Sequence, residues 1–226
     1  ALAVALPIGI CSAVYLNEYA KPGSKIVKAI RLFTDTLSGI PSIVFGLFGN
    51  MLFGSVLGLG YSLLGGSLTM ALIILPTIIR SVEESLIAVP DSLREASLAL
   101  GASKFQTLYK VILPQALAGI LTAAVLSIGR IVGESAALLY TSGSRMMMPR
   151  NGYFSEGGTF AVLIYKRAME GRTTEDQNQS YGAALVLIKI IKQCMENGNY
   201  NAVNLIFWLH IVFIIISAVF LVSMFV

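Results

Sequence analysis

Charged side chains are scarce in this chain. Asp, Glu, Lys and Arg together make up 12% of it, about half of what a soluble globular domain carries. So few charges cannot give a mainly ionic surface on all sides. Apolar residues reach 56% and the mean hydropathy is +0.78, so most helices must face lipid or one another. Cysteine is nearly absent too. Cys11 and Cys194 lie in or beside apolar stretches, which suits reduced packing residues better than a disulfide. His210 stands alone in an apolar run and reads as a packing residue. Met146, Met147 and Met148 have no His or Cys beside them, so neither a metal site nor a cofactor is expected. No G-x-x-x-x-G-K-[ST] stretch occurs, which removes the loop that would cradle the phosphates of ATP. No internal repeat of the kind found in secondary transporters is visible. The net charge of +4 fits basic cytoplasmic loops and gives no reason to expect nucleic-acid binding.

What remains is a chain for the bilayer. Its 226 residues suit one transmembrane helical bundle, all-α, with no second soluble domain. No charged region precedes the first apolar run, so no signal peptide is expected, and the run Ala1–Leu16 looks cut inside a membrane helix. Further apolar stretches cover about 37–59, 61–79 with Pro76 near its end, and 115–133. After the polar segment 141–180 come 181–191, short for a span, and 203–226, long enough for one. The segments 17–32 and 80–113 hold eight of the sixteen basic residues and share a side, predicted to be cytoplasmic. The segment 141–180, with five basic and four acidic residues, is then external.

The segment 89–114 carries the most order. Ser92 with Glu95 reads as a capping box that starts a helix, and Leu93, Ala96, Ser97 and Leu100 fall on one face. Gly101 suits the helix end. Ser103 with Gln106 reads as a second capping box, followed by Phe105, Leu108, Tyr109 and Ile112 at helical spacing. Pro114 is predicted to open the next membrane helix. Two short amphipathic helices joined at a glycine fit either of two roles. They lie on lipid, or they dock into a groove on a cytoplasmic partner.

Arg130 and Glu134 form a second feature. They stand at i and i+4 near the end of an apolar helix and so share a face. Charges at membrane depth cost at least about 2.5 kcal/mol each and normally face a bundle interior or a wet cavity. Gly129 and Gly133 beside them form G-x-x-x-G, which lets a partner helix approach closely. The pair reads as a structural salt bridge between helices or as the lining of an anion path. The planar guanidinium of Arg130 offers paired donors to the oxygens of an oxyanion, and Glu134 would hold Arg130 or accept from a protonated hydroxyl of that anion.

The run Glu95-Ala96-Ser97, then Gly101, then Ile112-Leu113-Pro114, is similar to the EAA motif of ABC importer permeases, with Ser97 in place of the second alanine. Three more stretches resemble the phosphate branch of those permeases, and its PstA type in particular. They are the run Ser38-Gly39-Ile40-Pro41 through Gly49, the run Ile74–Arg80 leading to Val89-Pro90, and Gly129-Arg130-Ile131-Val132-Gly133-Glu134. Tyr15–Ala20 also resembles that type. The likeness covers about residues 1–165 and departs in the tail, where Lys189, Lys192, Glu196 and Asn197 interrupt the last helix.

The resemblance implies the fold of type I importer permeases, six spans with the first one and a half missing here. It implies no catalysis of its own. The 89–114 loop would be the coupling helix that sits in a groove of a separate ATP-binding subunit. Arg130 and Glu134 would have a role in transport. The implied partners are an ATP-binding subunit dimer, a second, PstC-type permease, an extracytoplasmic phosphate-binding protein and the lipid bilayer of a prokaryotic cell membrane. Competing expectations are a permease for sulfate, molybdate or phosphonate, and an ion-gradient-driven secondary transporter.

Overall fold

The computed structural model describes residues 1–21, 23–145, 152–171 and 173–196. Among them every regular element is helical. α1 is Leu2–Val14 and runs into a π turn, Tyr15–Tyr19. α2 is Lys25–Ser38. α3 is Ser42–Gly49 and runs into a π stretch, Asn50–Val56. α4 is Leu63–Ile87, α5 Asp91–Ala99 and α6 Lys104–Thr107. A further π turn, Leu108–Ile112, leads into α7, Leu113–Gly133. α8 is Ala136–Thr141, α9 Phe160–Glu170 and α10 Thr174–Glu196. Three of these stretches are long and apolar enough to cross a membrane: Leu2–Tyr19, Leu63–Ile87 and Lys104–Gly133. A fourth arises if α2 and α3 form one broken span.

The segment 17–32, expected to be a loop, holds the end of the π turn and the first eight residues of the amphipathic helix α2. Its Val27 packs with Leu16 and Ile79 in a small core. The apolar stretch expected over 37–59 starts later, because Gly39-Ile40-Pro41 interrupts it. Pro41 sits exposed as the N-cap of α3, with φ −58 and ψ 140, a conformation that proline holds without strain. α4 runs unbroken through Pro76 and is the most enclosed span, 56% buried against 28% for the stretch containing α7. α7 buries one stripe, Ala116, Ile120, Ala123 and Ser127, and leaves Val125 and Leu126 open, as a helix facing lipid or another subunit would.

The second half of 89–114 differs in part from expectation. Pro114 is the second residue of α7, as expected of a helix start, but the π turn Leu108–Ile112 joins α7 to α6, so the helical stretch is continuous from Lys104 to Gly133. Proline lacks the N–H that would bond back to the carbonyl of Lys110 and crowds that carbonyl. The π turn Leu108–Ile112 just before it widens the helix at that point.

Packing divides the chain into two compact units. One comprises 40–73 and the described residues from 130 on, the other the described residues of 2–39 and 74–129. In the first, α3 lies on α8. Gly46 makes that possible: a Cβ there would stand 2.8 Å from the Cα of Ala137. Gly46→Val is therefore expected to break this packing, at a cost of about 3 kcal/mol or more, because backbone cannot retreat as a side chain can. The measurement is the yield of monodisperse protein extracted in mild detergent, which should fall several-fold relative to Gly39→Ala, where no such neighbour exists. The α9–α10 hairpin is fastened by Arg167 to Asp176 and by the Ser180 hydroxyl donating to the Ile164 carbonyl. The Thr173 hydroxyl, then the Thr173 backbone N–H and the Arg167 guanidinium, hold the Asp176 carboxyl below the usual carboxylate range. Met146–Met148, His210 and the apolar run 203–226 lie outside the described residues, as does the side chain of Cys194.

Candidate functional site

Two regions hold the residues singled out above. The first is the helical hairpin α5–α6. Its Ser92–Glu95 capping box does not form. Pro90 is the N-cap, so the helix begins two residues too early for Ser92 to cap it. The second capping box forms as predicted: the Gln106 N–H donates to the Ser103 hydroxyl at 3.2 Å, and the Ser103 N–H donates to the Gln106 side chain at 2.9 Å. Gly101 ends α5 with φ +85. Its N–H donates to the Leu98 carbonyl and the Ala102 N–H to the Ser97 carbonyl, the two bonds of a Schellman ending. The Ser97 and Thr107 hydroxyls bond to each other at 2.9 Å and tie the two helices together.

The hairpin presents its apolar residues outward. Leu93, Leu98 and Leu100 are exposed, Leu100 at 89%, and Glu95 and Ala96 are exposed beside them. Of the second predicted face, Leu108 and Ile112 are buried, while Phe105 and Tyr109 stay exposed and stack on each other at 6.5 Å. Leu113 is half-buried and Pro114 exposed on α7.

Sequence reasoning missed the residue that holds this hairpin. Arg94 is only 17% exposed and uses all five of its N–H donors. Nε and Nη2 donate to Glu18 at 3.3 and 3.1 Å, Nη2 also to the Leu86 carbonyl at 2.7 Å, and Nη1 to the Val89 carbonyl at 2.6 Å and Asp91 at 2.9 Å. The Leu86 carbonyl belongs to the last turn of α4, where unpaired carbonyls and the negative end of the dipole favour a cation, and the Val89 carbonyl lies in the turn just after it. Lys104 adds a cation–π contact, 5.1 Å from the Tyr19 ring. Only the i, i+3 spacing of Asp91 and Arg94 was visible in advance.

The second region is the break between α7 and α8. Arg130 lies in the last turn of α7 and Glu134 in the two-residue gap that follows. Both are half-buried. A Glu134 carboxylate oxygen accepts from the Ala137 N–H at 3.2 Å and so satisfies an amide of α8. Gly129 and Gly133 face open space: a Cβ on either would meet nothing within 4 Å. Any close helix contact through them would thus have to come from outside the described residues.

The profile of the binding-protein-dependent transport system inner membrane components matches residues 5–226. The chain belongs to that family. It is 36% identical over 199 residues to the "Probable ABC transporter permease protein YqgI" of Bacillus subtilis, covering 82% of this chain and 67% of that one. It is 36% identical over 196 residues to the "Phosphate transport system permease protein PstA 1" of Mycobacterium tuberculosis, covering 84% and 62%. The chain thus spans about two thirds or less of the curated relatives it matches. A chain of the inward-facing MetNI methionine ABC transporter superposes with a TM-score of 0.62 at 22% identity, covering 91% of this chain and 87% of that one, which establishes the shared fold. The all-α transmembrane architecture of this importer family is therefore the one the chain adopts, and the family is one of transport permeases.

Proposed function

We propose that the chain is the membrane-spanning subunit of an ATP-driven importer of inorganic phosphate. The single permease domain spans 1–226 and forms the translocation path with a second, PstC-type permease. An extracytoplasmic phosphate-binding protein delivers the anion, and ATP is hydrolysed by a separate subunit dimer. The site of action is the inner or plasma membrane of a prokaryote. The observation that carries the coupling role is the α5–α6 hairpin, rigidly pinned on one side and open with Leu93, Leu98 and Leu100 on the other. An apolar helix face of this kind suits a groove on a partner protein. Likeness to relatives named for phosphate transport supports the choice of anion, and so does the chemistry of Arg130 with Glu134 beside it.

The test is the complete importer in proteoliposomes loaded with ATP and supplied with its binding protein. Uptake of radiolabelled phosphate is expected to need ATP and to be unaffected by a tenfold excess of sulfate, molybdate or a phosphonate. Competition by one of these as strong as by unlabelled phosphate would reassign the substrate. Uptake driven by an ion gradient without ATP would overturn the class.

A further inference from the structure

The guanidinium of Arg94 joins three parts of the chain at once. It belongs to α5, it closes the carbonyl end of α4, and it grips Glu18 in the π turn that ends α1. Neither side chain of the Arg94–Glu18 pair has much access to water, at 17% and 10% exposure. Glu18 also accepts from the Asn17 side-chain amide at 3.0 Å. A guanidinium with all five donors engaged has no alternative rotamer that keeps its bonds, so a displacement of α5 must either move Glu18 or break the pair. Burial makes breaking costly, because it leaves a carboxylate and a guanidinium without partners. Lys104 over Tyr19 adds a second hold on the same turn. The hairpin therefore has a direct mechanical connection to the first span, in addition to its covalent connections to α4 and α7.

We propose that Arg94 and Glu18 are positioning residues that form a strut, carrying movement of the α5–α6 hairpin into the α1 span. The strut rests on the reading of that hairpin as the surface that docks on the ATPase. The pair itself touches neither the transported anion nor ATP. Its role is to make α1 follow the hairpin when the ATPase changes state.

The experiment uses the assembled importer in nanodiscs, with hydrogen exchange followed separately across residues 14–20 and 91–99. Each is compared with and without vanadate trapping of nucleotide on the ATPase. In the unaltered complex both segments should respond, and protection of 14–20 should change roughly ten-fold, within the usual range for coupling between two sites. In Glu18→Gln the response of 91–99 should persist while that of 14–20 falls to less than about two-fold. The double variant Glu18→Gln with Arg94→Gln should be no worse than Arg94→Gln alone, because both remove the same connection. An unchanged response of 14–20 in Glu18→Gln would overturn the strut.

Loss of ATPase co-purification in both Glu18→Gln and the shorter but still charged Glu18→Asp would also overturn it, since the pair would then only be a structural clamp. Failure of the docking reading shows differently, as no response of 91–99 even in the unaltered complex, and removes the strut with it. A complex that responds as described but imports another anion leaves the strut standing and corrects only the substrate.

Discussion

Replacing Arg130 by glutamine is expected to lower ATP-dependent phosphate uptake by roughly a hundred-fold or more, the loss of about 3 kcal/mol that follows when charged hydrogen bonds to an anion are removed. Arg130→Lys keeps the charge but not the planar fork and should cost about ten-fold. The informative variant is Arg130→Gln combined with Glu134→Gln. Glu134 caps the Ala137 amide, and glutamine keeps a carbonyl oxygen for that bond, so α8 should stay in place. If Arg130 serves the anion, the double variant remains inactive although fully assembled. Recovery of uptake in the double variant would show that the pair only balances charge between neighbouring elements. Uptake is measured with radiolabelled phosphate, and assembly by co-purification of the ATPase.

Substitution at Gly101 is the second change with a large expected effect. Gly101 has φ +85, and its N–H closes the end of α5 on Leu98. Proline is held near φ −65 and has no N–H, so Gly101→Pro fails on both counts. Gly101→Ala is strained by only about 1–2 kcal/mol and makes a graded control. Gly101→Pro is expected to cut uptake more than ten-fold while membrane abundance stays within about two-fold, since the hairpin is peripheral to the spans. Glu95→Lys reverses an exposed charge on the proposed docking face and should act in the same direction without disturbing the hairpin. Normal uptake in both variants would remove the hairpin from the coupling path.

The predicted residues fared differently for identifiable reasons. Ser103 with Gln106 capped as expected because a capping box closes within one turn and needs nothing from elsewhere. Ser92 with Glu95 has the same spacing and did not cap, because Pro90 turned the chain into the helix first. Pro114 looked like a helix start, since proline is common there, and it is the second residue of α7. What the sequence did not show is the π turn that joins α7 to α6 into one helical stretch, 104–133. Gly46 and Gly49 were legible only as part of a family-like run. Their reason, room for Ala137 and Thr69 to approach, is a matter of neighbours far along the chain.

What the amino-acid sequence determined by itself was the solvent and the periodicity. Low charge and long apolar runs require membrane helices, and the spacing of small, capping and apolar residues between 91 and 112 requires a helical hairpin, because both properties are local along the chain. Only the tertiary structure decided which side chains hold that hairpin. Arg94 meets Glu18, 76 residues earlier, and hydropathy assigns the same cost to a charge whether it meets lipid, water or a buried partner. The five bonds of Arg94 depend on three chain segments arriving at one point, and that convergence is a property of the fold.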